Sequence, residues 1–165
     1  MIRKATNKDL TEVMRIVKRV VKVMNEQGSY QWNDSYPQAN DYQNDINREE
    51  LYLYEIDAVI VGVCTISNRG HEEYGLINWT SHEKAFTLKR LAIDPNARGK
   101  GIADQFFDYA VELALQSGVS LINTDTFTEN RYAQQLFKRN GFRFVQTRKE
   151  HDQAPNLAYF EKEVL

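Results

Sequence analysis

One cysteine, three prolines and eight glycines are all that this chain of 165 residues holds of the residue types that cross-link, stop or loosen a backbone. A single Cys64 cannot close an intrachain disulfide, and inside the apolar run AVIVGVCTI it reads as a buried thiol rather than a nucleophile. That usage favours a reducing compartment, so a cytoplasmic protein is expected. Neither sign of charge dominates. Lys and Arg total 21 against 23 Asp and Glu, for a net charge of −2 and a pI of about 5.9, which excludes the broad basic field of a nucleic-acid binder. No apolar run approaches the roughly 20 residues that cross a bilayer, and the opening MIRKATNKDL lacks the apolar core of a signal peptide. No membrane partner is expected. No Cys/His cluster has metal-ligand spacing, so no metal is expected either. Repeats, low-complexity tracts and linkers are absent as well, and an apolar content of 42% is enough for one core. The expectation is one domain over 1–165.

What is present is a regular alternation of periodicities. After a short strand at Ile2 to Ala5, Thr6 and Asp9 match a capping box, and Leu10, Val13, Val17, Val20, Val21 and Met24 recur at helical spacing to about Gln27. Gly28 to Ala39 reads as a loop carrying Tyr30, Trp32 and Tyr36 before Pro37, and a short helix is expected over Asp41 to Glu49. Three large rings in a loop either pin it to the core or line a pocket. LYLYEIDAVIVGVCTI predicts a hairpin with its turn near Asp57, while Gly70 to Ala85 reads as a loop with possible strand extensions. FTLKRLAI is a strand stopped at Asp94-Pro95, because proline has no N–H for the ladder. A helix follows from Gly101 to Ser117-Gly118. VSLINTDTF is the next strand, Asn130 to Asn140 a helix with a Schellman ending at Gly141, and FRFVQ and NLAYFEKEV close the chain as strands.

The segment NARGKGIA, Asn96 to Ala103, lies between a strand with its proline stop and a helix. The first N–H groups of a helix have no intrahelical acceptor and carry the positive end of its dipole. Glycines at 99 and 101 would let several of these groups converge on one phosphate or pyrophosphate. Turn chemistry alone is the alternative. A Walker A loop fails, because no glycine stands early in the turn and Lys100 is followed by Gly101. A dinucleotide fingerprint is weak: Asp104 stands where a small residue belongs, although Asp125 is at a tolerable distance for a ribose contact. The pattern R-x-x-G-x-A across Arg98, Gly101 and Ala103 fits best. It follows LAIDP and precedes, about 27 residues further on, NRYAQQLFKRNGF.

With LKRLAIDPNARGKGIA and ENRYAQQLFKRNGFR at this spacing, the sequence resembles the GNAT N-acetyltransferase superfamily over nearly its whole length. The resemblance implies an α/β fold: a mixed, mostly antiparallel sheet flanked by helices, with two parallel strands splaying apart to form the cofactor cleft. It implies acetyl-CoA as co-substrate and an amine of a small molecule or peptide as acceptor, with a homodimer possible. Carried over, the backbone of Leu91 and Ile93 pairs with the pantetheine arm and Arg98, Gly99, Lys100, Gly101, Ile102 and Ala103 hold the pyrophosphate. Asn130 and Phe137 fall at cofactor-contacting positions, although Asn130 also suits a plain helix cap. Many relatives carry a tyrosine as general acid where this chain has Phe137. Tyr132 is on the same predicted helix but about 140° around its axis; it is the one catalytic candidate. Glu55, Glu72, Glu73, Glu83, His71 and His82 leave the general base unassigned. Trp32 and Tyr36 are expected on the acceptor side, with Asp34 nearby. A non-catalytic acyl-CoA binder is the alternative to an enzyme.

Overall fold

The apolar stripe of the first long helix dictates where it lies. In the structure, a computed structural model that describes residues 1–164, helix α1 (Leu10–Glu26) buries Val13, Ile16, Val17, Val20 and Val21. Packed contacts divide the chain into two compact units, Met1–Ile66 with Lys89–Phe106, and Ser67–Leu88 with Phe107 onward. In the first unit the α1 stripe shares a core with Leu51 and Leu53 of strand β2 (Leu51–Ile56) and Ile60 and Val63 of β3 (Val59–Ser67). Each such fully buried aliphatic side chain contributes about 1.5–3 kcal/mol.

Strand β1 (Ile2–Lys4) pairs antiparallel with β2, and β2 with β3, through a two-residue turn in which Asp57 and Ala58 have φ of 51° and 65°. That is the left-handed pair a tight hairpin requires, here without glycine. The expected capping box is present: Thr6 N–H donates to Asp9 Oδ2 at 2.7 Å. It closes onto a one-turn 3-10 helix (Asn7–Asp9) before α1. Helix α2 runs Ala39–Asn47, two residues ahead of expectation, because Gln38 N–H donates to Asp41 Oδ2 at 2.7 Å and sets the helix start there. The unit is completed by the second half of strand β4 (Ala85–Ile93), a one-turn 3-10 helix (Pro95–Ala97) and the start of α3 (Ile102–Ser117).

The second unit holds the first half of β4, the rest of α3, β5 (Leu121–Phe127), α4 (Arg131–Arg139), β6 (Arg143–Arg148) and β7 (Leu157–Glu163). Here β4 and β5 are parallel over three residue pairs, Ala85↔Leu121 to Thr87↔Asn123. β5 pairs antiparallel with β7 over its whole length, and β7 with β6. Since β4 belongs to both units, the seven strands follow one order, β1-β2-β3-β4-β5-β7-β6, mostly antiparallel with the single parallel pair. The segment expected as a loop with strand extensions instead forms a 3-10 helix (Glu72–Leu76). Tyr74 and Trp79 on either side of its end pack on Tyr159 with ring centroids 5.8 and 6.0 Å away and on each other at 5.1 Å, and these rings rather than a ladder fix the segment. Helix α4 ends in the expected Schellman pair, Phe142 N–H to Phe137 O at 3.0 Å and Gly141 N–H to Lys138 O at 3.0 Å. No helix among the described residues is long and apolar enough to cross a membrane.

Asp9 carries the start of α1 electrostatically. Arg3 reaches both of its oxygens at 2.9 Å, and that guanidinium holds the carboxyl down at about 2. A carboxyl depressed from the ordinary value near 3.9 stabilises the fold above that value and loses the contribution as pH falls through about 2. Asp9→Asn is therefore expected to lower stability by about 1 kcal/mol at pH 6, after allowance for screening of the partly exposed Arg3, and to match the parent near pH 2. Thermal melts of both proteins from pH 6 to 2 check this; a constant difference across that range contradicts it.

Candidate functional site

Strand β4 is not straight. Arg90 sits at φ 50°, in the left-handed region that a long side chain rarely enters. Such a residue costs on the order of 1–3 kcal/mol unless its surroundings hold it there. They do so here on every side. Arg90 Nε and Nη2 donate to Asp45 Oδ2 and Oδ1 of α2 at 2.8 and 2.7 Å, a bidentate pair in which Asp45 is 1% and Arg90 11% exposed. Thr65 Oγ1 of β3 donates to the same Asp45 oxygen at 2.7 Å. Arg90 Nη1 donates to Tyr36 Oη at 3.1 Å, and the Tyr42 hydroxyl of α2 donates to the Arg90 carbonyl at 3.3 Å. Burial alone would push the Arg90 guanidinium down, but its bonds and charge attraction to Asp45 hold it above the ordinary arginine value. The neighbouring Lys89 ammonium is pushed down by burial and then by Arg90.

Past the kink, β4 carries Leu91 and Ile93 to the basic turn. Asp94 anchors its start: the Asp94 N–H donates to Val61 O at 2.8 Å, its Oδ1 accepts from Asn96 N–H at 3.0 Å, and its Oδ2 accepts from Arg19 at 3.3 Å. Gly99 and Gly101 have φ of 81° and 73°. A Cβ built at Gly99 meets nothing within 4 Å, and one at Gly101 meets only Asp104 Oδ2 at 4.0 Å. Both glycines thus combine a left-handed backbone with open space on the side a Cβ would occupy. The first α3 bond runs from Gln105 N–H to Gly101 O at 3.1 Å, so the N–H groups just before Gln105 have no acceptor in the helix. Arg98, Gly99, Lys100 and Gly101 are exposed, while the Ile102 side chain is buried beside Gly62 and offers only its backbone. This cradle fits an anionic diphosphate of the kind coenzyme A carries.

In the second unit the structure separates what the sequence grouped. Asn130 caps α4, its Oδ1 accepting from Ala133 N–H at 3.0 Å, which leaves its amide Nδ2 for any ligand. Tyr132, the second residue of α4, is 71% exposed. The Phe137 ring, expected at a cofactor-contacting position, is 6% exposed and packs among Phe107, Phe142 and Phe160 at 5.3 to 6.2 Å. Trp32, expected on the acceptor side, is also buried. Its ring is 8% exposed within the first unit's hydrophobic cluster, and Asn25 Nδ2 donates to its carbonyl at 3.0 Å. Tyr36 is half-buried against Arg90. From the same loop Asn33, Asp34 and Pro37 line a groove of about 580 Å³ against Lys18 and Val21 of α1. Among the base candidates, Glu55 accepts from Arg3 Nε at 2.7 Å and Glu73 from the Tyr159 hydroxyl at 2.9 Å. Cys64 is fully buried and burial pushes its thiol up, which suits packing and not attack. Sequence reasoning missed Asp45, Tyr42 and the buried Glu161, which is bonded to Arg143 and Thr80, because partners tens of residues apart leave no local pattern.

The model of the Acetyltransferase (GNAT) family matches residues 17–142. The chain belongs to that family. GCN5-related N-acetyltransferase 6, chloroplastic, of Arabidopsis thaliana is 33% identical over 86 residues, which are 52% of this chain and 26% of that protein; the chain matches about a quarter of the length of this curated relative. A GNAT-family acetyltransferase from Streptococcus agalactiae superposes with a TM-score of 0.84 at 21% identity, covering 99% of this chain and 94% of its own. The Salmonella typhimurium protein yncA, solved with its cofactor acetyl-CoA, superposes at a TM-score of 0.72 and 14% identity, over 100% and 94% of the two chains. In this GNAT chain the kinked β4 and the glycine turn stand together in the first unit, joined by a continuous backbone from Arg90 to Ala103. The ion pair behind the kink makes a testable demand. Asp45→Ala leaves a buried guanidinium without its carboxylate and is expected to cost about 3–5 kcal/mol. Glu12→Ala, which breaks the exposed pair with Arg15, is expected to cost less than about 1 kcal/mol. Denaturant midpoints for the two variants check the contrast.

Proposed function

We propose that this GNAT chain is one acetyltransferase domain that moves the acetyl group of acetyl-CoA to a primary amine of a small molecule or peptide. The observation that carries the reading is the glycine turn after β4, with φ of 81° and 73° at Gly99 and Gly101 and open space where their side chains would be. There the backbone from Gly99 to Ala103, with Arg98 and Lys100 flanking it, would take the pyrophosphate of the cofactor. The strand edge at Leu91 and Ile93 would take its pantetheine arm. Acetyl-CoA supplies the activated acyl group as a thioester. The amine lone pair forms a C–N bond at the carbonyl carbon, the carbonyl oxygen takes up the negative charge, and collapse breaks the C–S bond. Coenzyme A leaves as the thiolate and takes up the proton that the amine loses, directly or through water. The backbone N–H of Leu91 is the donor assigned to the oxyanion. Holding the two substrates in register can supply on the order of 7–11 kcal/mol of the barrier without a strong acid or base.

The test is binding first. Acetyl-CoA at 100 times its Kd is expected to stabilise the protein by about 2.7 kcal/mol, seen as a rise in Tm. Gly101→Val is expected to weaken that binding at least tenfold, since it both strains a positive φ and fills the cradle, whereas Lys100→Ala leaves the backbone donors and is milder. Thiol release across a panel of amines then identifies the acceptor. No thermal shift with millimolar acetyl-CoA, or undiminished binding by Gly101→Val, overturns the assignment.

A second reading, a domain that holds acyl-CoA without turning it over, is favoured by one observation: α4 offers a buried phenyl ring at Phe137 where many relatives carry a general acid. Phe137→Tyr separates the two. For the enzyme reading the hydroxyl enters an aromatic cluster, costs about 1–3 kcal/mol of stability if it finds no partner, and changes kcat/KM less than tenfold. A parent without turnover on any amine that gains activity from Phe137→Tyr supports the binder instead.

A further inference from the structure

The peptide between Arg90 and Leu91 has a fixed direction that follows from the kink. A trans peptide is planar, with its C=O and the next N–H pointing in opposite directions. The Arg90 carbonyl is turned toward α2, where the buried Tyr42 hydroxyl donates to it at 3.3 Å. The Leu91 N–H therefore points away from α2. Two constraints keep it so. The Arg90 backbone is held at φ 50° by a side chain locked bidentately on Asp45, and Asp45 is itself held by Thr65 of β3. The peptide oxygen is then held by Tyr42, one turn before Asp45 on the same helix. The ion pair is the stronger constraint; the hydroxyl, at the long end of hydrogen-bond range, is the one that acts on the peptide plane itself.

We propose that Tyr42 and Asp45 of α2 are positioning residues for acyl transfer, which fix the Arg90–Leu91 peptide plane so that the Leu91 N–H is preorganised for the thioester oxygen. Neither side chain touches the substrate. The inference rests on the function proposed above and adds the element that aims the donor. It explains why an arginine occupies a left-handed position where glycine would be free of strain: glycine permits the conformation, whereas Arg90 paired with Asp45 holds it. It also gives Tyr42 a role beyond filling the core, since a phenylalanine of the same shape would fill the space equally well. Burial raises the Tyr42 hydroxyl well above the ordinary tyrosine value, so it remains a donor at every working pH.

Tyr42→Phe is the decisive variant, because it keeps the ring and removes only the hydroxyl. The readouts are kcat and KM from thiol release, with the best amine or with water as acceptor, and the Kd for coenzyme A, which lacks the acetyl oxygen. Losing an oxyanion donor outright costs about 10² to 10³ in kcat, so a donor that is kept but misaimed is expected to cost about tenfold. KM and the Kd for coenzyme A should stay within twofold of the parent. A merely structural tyrosine would lower Tm and leave kcat where it was. The second comparison is Asp45→Asn alone against Asp45→Asn with Arg90→Gly. The first leaves a strained residue with an imperfect partner, and the second removes both charge and strain, so the double variant should regain stability but not kcat, because glycine permits the conformation without holding it; recovery of the parent kcat in the double variant overturns the role of Asp45. An unchanged kcat in Tyr42→Phe, or equal losses in kcat and in coenzyme A binding, overturns the positioning role. Failure of the parent itself to bind coenzyme A overturns the functional reading, and this inference with it.

Discussion

Strand β4 departs from regular geometry at Arg90, and the departure is held chiefly by one buried ion pair. Asp45 and Arg90 meet at 2.7 Å with almost no solvent on either. Taking both charges out of water is expensive, and two parallel bonds repay it only when the remaining hydrogen-bonding groups are satisfied too. Thr65 and Tyr36 do this, one on the carboxylate and one on the guanidinium. The pair thereby joins four pieces of the first unit, namely α2, β3, the kink in β4 and the loop before α2, around one point. The hydrophobic cluster fixes where α2 and β3 lie in general; the ion pair fixes their register to β4, because bidentate geometry tolerates little displacement.

The cradle beyond the kink is made of backbone. An anion held there, as proposed, would meet the backbone N–H groups at the start of α3 and its dipole, a local field that is compatible with a chain of net charge −2. Lys100 and Arg98 add charge but are exposed, and exposed charges are screened within about 8–10 Å at ordinary salt. The constraint that cannot be relaxed is at Gly99 and Gly101, where positive φ and open space coincide. Asp94 makes the same point from the other side. Two backbone groups and Arg19 meet on that residue, so the turn begins from a fixed place and its N–H groups are ordered before any ligand arrives.

How far the fold was legible in the sequence depended on the range of the signal. Local patterns read well: the Thr6/Asp9 cap, the α1 stripe, the Asp94-Pro95 stop, the Asn130 cap and the Gly141 ending all stand where their chemistry put them. The start of α2 was misplaced by two residues, because glutamine is a less obvious cap partner than serine or aspartate. The segment from Gly70 to Ala85 is largely the loop expected, but its 3-10 turn was not legible, because its order comes from rings on Tyr159, a contact across some 80 residues that has no periodicity. The kink at Arg90 was invisible for a sharper reason: the usual sign of a left-handed residue is glycine, and here an arginine is held there by a partner 45 residues earlier. The burial of Trp32 and Phe137 was not legible, since one ring in a loop or a short helix does not reveal which way it points.

The position of Phe137 bears on how much chemistry the protein's own side chains must do. Its ring is enclosed by three other phenylalanines, and a phenyl ring has no proton to give. Tyr132 is open to water at 71% exposure and so is itself largely solvated. A thiolate is a far better leaving group than an amide nitrogen or an alkoxide, so departure from the tetrahedral intermediate does not demand a positioned acid in the way that peptide hydrolysis does. The demanding part is earlier, where negative charge appears on the carbonyl oxygen and must be met by a donor already in place. A buried ion pair, a buried tyrosine and a strained residue all meet at the Arg90–Leu91 peptide, and under the proposed function that is where the protein would meet this earlier step.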